Sequence, residues 1–249
     1  MESIMRSISS SLGVLCGWAW LTCAAAQPTQ PQRVPGSLEA RLAPCIACHG
    51  SAQALPGAVK PGSERQYFPR IAGKPAGYLY NQLINFRDGR RQYPLMTWMV
   101  QHLSDDYLHE IADYFSAQHL PAPVLDRAAL PAAELERGRQ LVLHGDKALN
   151  VPACIACHGE RLGGALPAIP GLVGLPRDYI NAQFGAWRNG SRRAHAPDCM
   201  GSIARRLSLA DVTAISAWLA SEPQPADPSP AQHPARPLPL ACGSAPEQP

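Results

Sequence analysis

The sequence predicts an all-α chain of two similar domains in tandem, on three observations. One block of residues occurs twice with its flanks in the same order, apolar residues recur at three-to-four spacing, and no segment alternates apolar and polar residues as a half-buried strand does.

The repeat is read first. Cys45-Ile46-Ala47-Cys48-His49-Gly50 recurs unchanged as Cys154-Ile155-Ala156-Cys157-His158-Gly159. Pro69-Arg70-Ile71-Ala72-Gly73 then corresponds to Pro170-Gly171-Leu172-Val173-Gly174, and Tyr78, Gln82, Phe86, Gly89 and Arg91 correspond to Tyr179, Gln183, Trp187, Gly190 and Arg192. Each half next reaches a methionine seven residues ahead of a Leu-Ser pair: Met96 before Leu103-Ser104, and Met200 before Leu207-Ser208.

Within each half the local patterns are helical. Tyr78, Leu79, Gln82, Leu83 and Phe86 share a face, with Gly89 as a stop. Ser104 is an N-cap for a helix over 104–115 with Leu108, Ile111, Ala112 and Phe115 on one side, and Ser208 starts its counterpart with Val212, Ile215 and Leu219. A helix over 134–143 opens the second half, whereas Pro44 leaves the first half an abbreviated one. Prolines at 121, 123 and 131 interrupt helix between the halves. The expected organisation is therefore a first domain at 36–120, a linker at 121–131, a second domain at 132–221, and a proline-rich tail at 222–249 that is extended or disordered.

Residues 1–26 have the form of a secretory signal: Arg6, an apolar run from Ile8 to Leu21, then Ala24-Ala25-Ala26. The run is interrupted by serines and glycine and falls short of the roughly 20 apolar residues a bilayer span needs. The chain is thus expected in the periplasm. Composition agrees with a globular protein, since 46% hydrophobic and 16% charged residues argue against wholesale disorder. A formal charge of +3 gives no ground for nucleic-acid binding. Of eight cysteines, Cys16 and Cys23 would leave with the signal and four lie in the repeated motif. Cys199 and Cys242 remain, able to form a disulfide in an oxidising compartment or to stay free.

Cys-x-x-Cys-His is the attachment motif of c-type haem: each thiol can form a thioether with a vinyl group, and the adjoining histidine coordinates iron. Cys45, Cys48 and His49, with Cys154, Cys157 and His158, are the candidate haem-binding residues, predicting two covalently bound haem c groups. A zinc site would need four ligands converging from separate repeats, and a thioredoxin-like site would need a strand-helix-strand setting. The candidate iron ligands are His49 and Met96 in the first half, and His158 and Met200 in the second. Beyond the matched pair, the methionines are Met1, Met5 and Met99. Met99 is the rival in the first half, but Ile203 stands in its place in the second. Histidine ligands are a second rival, although His102, His109, His119, His144, His195 and His233 have no matched pair. Thioether ligation favours ferrous iron and suits one-electron transfer, and filled axial positions argue against catalysis at the iron. The carbonyls of Pro69 and Pro170 are placed to accept from the imidazole N–H groups of His49 and His158.

Together these motifs, over about residues 40–221, resemble cytochrome c4, a periplasmic di-haem member of the class I cytochromes c. The resemblance implies one haem wrapped by each domain, a pseudo-twofold axis between the domains, and electron passage between facing propionate edges. It also implies redox partners (a terminal oxidase, a respiratory complex or a periplasmic dehydrogenase) and a loose peripheral association with the membrane. The expected role is electron carrier, not enzyme. Two other readings share some of these features: the di-haem subunit of a flavocytochrome sulfide dehydrogenase, and a di-haem peroxidase, which would need an iron that opens or carries two histidines. The short opening helix, Cys199 beside Met200, and the proline-rich tail depart from the family pattern.

Overall fold

A computed structural model describes residues 36–49, 68–119 and 131–245. The expected signal, Gly50, and nearly all of the linker lie outside these residues.

In the first domain, α1 (Leu38–Arg41) is capped by the Ser37 hydroxyl, and Leu42 is fully buried where it leads into α2 (Ala43–His49). This is the abbreviated opening helix. Next comes α3 (Ala76–Arg87), which buries Leu79, Ile84 and Phe86 and ends where Gly89 takes a left-handed φ of 74°. Pro94 begins α4 (Pro94–Val100), a position where its missing N–H costs nothing. In α5 (Asp105–Ser116) Ser104 accepts from the Tyr107 N–H, and Asp105 and Asp106 occupy the first turn, where the helix dipole favours negative charge. The expected face of Leu108, Ile111, Ala112 and Phe115 is buried against α3.

The second domain repeats this plan with a longer first helix, α6 (Ala132–His144). It is followed by α7 (Ile155–His158), α8 (Arg177–Arg188), α9 (Cys199–Arg206) and α10 (Leu209–Ser221). Ser208 and Asp211 form a reciprocal capping box at the start of α10. The fold is helical as expected, with one small addition: β1 (Gly164–Ala165) pairs antiparallel with β2 (Ile169–Pro170). Two-residue strands carry no alternation to read, so the sequence hides them.

Helices α6 and α10 cross at Gly138. A Cβ there would collide with the Ala214 carbonyl oxygen and lie 2.9 Å from the Trp218 Cβ. Gly138→Ala is therefore expected to destabilise the second domain by about 1–3 kcal/mol through overpacking. Thermal unfolding will check this, a neutral result contradicting the close crossing.

The tail is extended, as expected, but the expectation of disorder does not hold for residues 222–245. Proline bars helix there, yet several backbone groups find partners. Ala231 bonds in both directions to the β1 region, through Leu166 N–H to Ala231 O at 2.8 Å and Ala231 N–H to Gly164 O at 3.0 Å. Asp227 pairs with Arg161, and Cys242 is disulfide-bonded to Cys199. Asn81 of the first domain donates to the Ser244 carbonyl at 3.1 Å.

The domains meet across α3 and α8 by contacts that exchange when the halves are exchanged. Arg91 donates to the Tyr179 hydroxyl and Gln183, while Arg192 donates to the Tyr78 hydroxyl and Gln82. Gln92 N–H bonds Ser191 O, and Arg193 N–H bonds Arg90 O. Such reciprocity is what a pseudo-twofold axis produces.

Candidate functional site

Each repeated motif sits on a helix that ends at its histidine, α2 in the first domain and α7 in the second. The His49 Nδ1 lies 3.1 Å from the Pro69 carbonyl oxygen, and the His158 Nδ1 lies 2.8 Å from that of Pro170. A carbonyl only accepts, so each Nδ1 carries the proton and each Nε2 keeps a free lone pair. Burial holds both imidazoles below their usual pKa, which keeps them neutral and able to ligate. The two proline carbonyls thus serve as the sequence led us to expect.

The thiols behave differently from redox thiols. Burial pushes Cys154 up to about 12 and raises Cys45 and Cys157 as well, so they stay protonated at neutral pH. A thiol-disulfide exchange site needs the opposite shift. Nor does any group of three or more His, Cys, Asp or Glu among the described residues converge as a metal site would require.

In the second domain Cys154, Cys157, His158 and Met200 line one cavity, whose walls include Leu141 and Phe184. Met200 enters it from the first turn of α9, where the Asp198 side chain caps the Gly201 N–H. In the first domain Cys45, Met96 and Met99 all pack against a common core under α4. The unmatched histidines fall away from the cavity: His102, His109, His119, His144 and His233 are exposed, and His109 stacks on Tyr80. His195 lies beside Arg90.

Two features of the cavity ask for an acidic, planar guest. The Trp187 indole N–H is buried in its wall without a hydrogen-bond partner. Arg192, also in the wall, is buried beside Arg91, and burial together with that neighbour lowers its pKa. Among the described residues no ion pair engages Arg91, Arg192 or Lys74. A carboxylate-bearing macrocycle would satisfy the indole and the paired guanidinium groups, so haem propionates fit.

Comparison with known proteins agrees with this geometry. No family profile matches the sequence. The chain is 39% identical over 184 residues to a thiosulfate dehydrogenase electron acceptor of Thiomonas intermedia, covering 73% of this chain and 79% of that one. It resembles part of a thiosulfate dehydrogenase, TsdBA, from Marichromatium purpuratum (TM-score 0.59, 32% identity), spanning 72% of this chain but only 36% of that longer one. It also matches the crystal structure of cytochrome c4 from Pseudomonas stutzeri with TM-score 0.58 and 30% identity, covering 75% of this chain and 98% of that one. The chain belongs to the cytochrome c4 family.

Cytochromes c4 are tandem-domain, di-haem c-type electron-transfer proteins, and this chain is a di-haem electron carrier. Three site features were missed in the sequence. Lys74 and the tail residues Leu238 and Leu240 also line the second cavity, and Arg91 and Arg192 form the domain interface. The arginines were visible as a matched pair, though only folding reveals that they face each other. Lys74 had a signal too, as a break in the repeat.

Proposed function

We propose that the chain is an exported one-electron carrier that takes electrons from a periplasmic dehydrogenase, of the kind that oxidises thiosulfate, and yields them to a respiratory complex or terminal oxidase. The observation that carries this reading is the second-domain cavity, which gathers both motif thiols, a neutral histidine and the matched methionine around one space. Bound haem supplies a ferric/ferrous couple. Cys45 and Cys48, with Cys154 and Cys157, hold the two groups by thioether bonds. His49 and His158 present Nε2 to the irons, their Nδ1 protons held by Pro69 and Pro170. Met96 and Met200 would supply the second ligand of each iron. Apolar side chains such as Leu141 and Phe184 would exclude water, while the Arg91 and Arg192 charges would offset the propionates and the Trp187 indole N–H would donate to them.

Residues 1–26 direct export in this reading. Among the described residues no helix is long and apolar enough to cross a membrane, which suits a carrier held at most peripherally. The dehydrogenase partner is favoured by the relative named as a thiosulfate dehydrogenase electron acceptor. Stopped-flow mixing of the oxidised di-haem protein with a substrate-reduced thiosulfate dehydrogenase is expected to reduce both haems. Peroxide-dependent oxidation of a reduced partner should stay at the level of free haem. Fast peroxide turnover would overturn the carrier reading, and failure to accept electrons from the dehydrogenase would overturn the choice of donor.

A further inference from the structure

The two halves share a reciprocal set of interface contacts but differ in the charges around it, where Arg70 corresponds to Gly171, Arg193 to Gln92 and Lys74 to Leu175. Arg91 and Arg192, Tyr78 and Tyr179, and Gln82 and Gln183 correspond in the repeat and bond reciprocally, and the Arg91 charge also reaches His49. Lys74 has no such counterpart. Four residues before Tyr179, where Lys74 stands relative to Tyr78, the second half carries Leu175. That leucine is buried in the second domain's core.

The Lys74 side chain does not serve its own domain. Its Nζ crosses the interface and donates to the Gly171 carbonyl at 2.9 Å. Gly171 directly follows Pro170, whose carbonyl holds the His158 imidazole. Lys74 also lines the cavity that gathers Cys154, Cys157, His158 and Met200. Its positive charge reaches His158, where it adds to the depression of the imidazole pKa. Burial draws the lysine itself down to about 8, which leaves it mostly protonated at neutral pH. It takes part in none of the ion pairs among the described residues. The repeat therefore supplies two similar electron sites, and Lys74, with no ion-pair partner among the described residues, sets a first-domain cation beside the second.

We propose that Lys74, contributed by the first domain, makes the second-domain haem the preferred seat of the electron. A positive charge in a low-dielectric interior stabilises whichever nearby state carries one more electron, and it acts most on the site it faces. This inference rests on the carrier reading above, in which each domain binds one haem. Lys74 tunes that site without ligating iron.

The test is a redox titration of the full-length holoprotein followed by NMR. Haem signals are assigned to the second domain by their proximity to Trp187 and to the first by proximity to Phe86. Lys74→Met, which keeps length and removes charge, is expected to lower the preference of the electron for the second haem about tenfold, or about 59 mV for a one-electron couple. Lys74→Arg should retain most of that preference. Equal shifts at both haems, a shift confined to the first, or no shift in Lys74→Met would each overturn the proposal. Haem content and the thioether-to-iron absorption, read in the same samples, test the underlying reading separately. Two haems with that band in an unshifted variant would sink the role of Lys74 alone.

Discussion

Replacing Met200 by alanine is expected to leave both haems covalently attached while opening the second iron and lowering its potential. The loss should be a sizeable part of the roughly 0.8 V range that axial ligands command. Attachment survives because Cys154 and Cys157 lie on α7 and its approach, on the opposite side of the sequence repeat from α9. The potential falls because the thioether favours ferrous iron and water does not. Met96→Ala should do the same to the first haem. Spectroelectrochemistry with the thioether-to-iron band as the marker will report both. A decisive contrary result is available in the first domain, where Met96 and Met99 share the core under α4. If Met99→Ala loses one His/Met signature while Met96→Ala keeps both, the ligand there is Met99.

The second large effect concerns the tail. Cys242→Ser removes the link to Cys199, which spans 43 residues of sequence and encloses α9, α10 and the extended segment. Chain entropy alone assigns such a loop about 4 kcal/mol. For a chain of this size that corresponds to a fall in unfolding temperature of about 10 °C. Cys199 immediately precedes Met200, so the disulfide also holds the first turn of α9 against the tail. Calorimetry of the variant should find the second domain unfolding first, and the thioether band fading before the far-ultraviolet signal. If both transitions stay where they are in the parent protein, the disulfide carries neither stability nor ligand retention.

Much of the fold could be read from the residues because helices advertise themselves through spacing and caps. Ser104, Ser208, Gly89 and the face of Leu108, Ile111, Ala112 and Phe115 do in the structure what their patterns imply. Part of the candidate site was legible for a similar reason: covalent attachment demands adjacent residues, and the methionine matched in the repeat, Met200, lines the cavity that holds Cys154, Cys157 and His158. What stayed hidden was non-local. The strands β1 and β2 are too short to alternate, and the tail's order comes from non-local bonds at Asp227, Ala231, Cys242 and Ser244 rather than from composition. Lys74 donates to Gly171, a residue 97 positions away that no local pattern connects to it.

The tail's path gives the two domains a second tie. The chain leaves the first domain through the segment after His119, builds the second, and returns, bonded to Cys199 on the way, until the Ser244 carbonyl meets Asn81 on α3. Together with the reciprocal arginine contacts, this closes the two halves into a ring. These contacts favour one spacing of the halves, and electron exchange between them is then expected to need no encounter step. Its rate is then expected to stay constant as the viscosity of the solvent around it is raised.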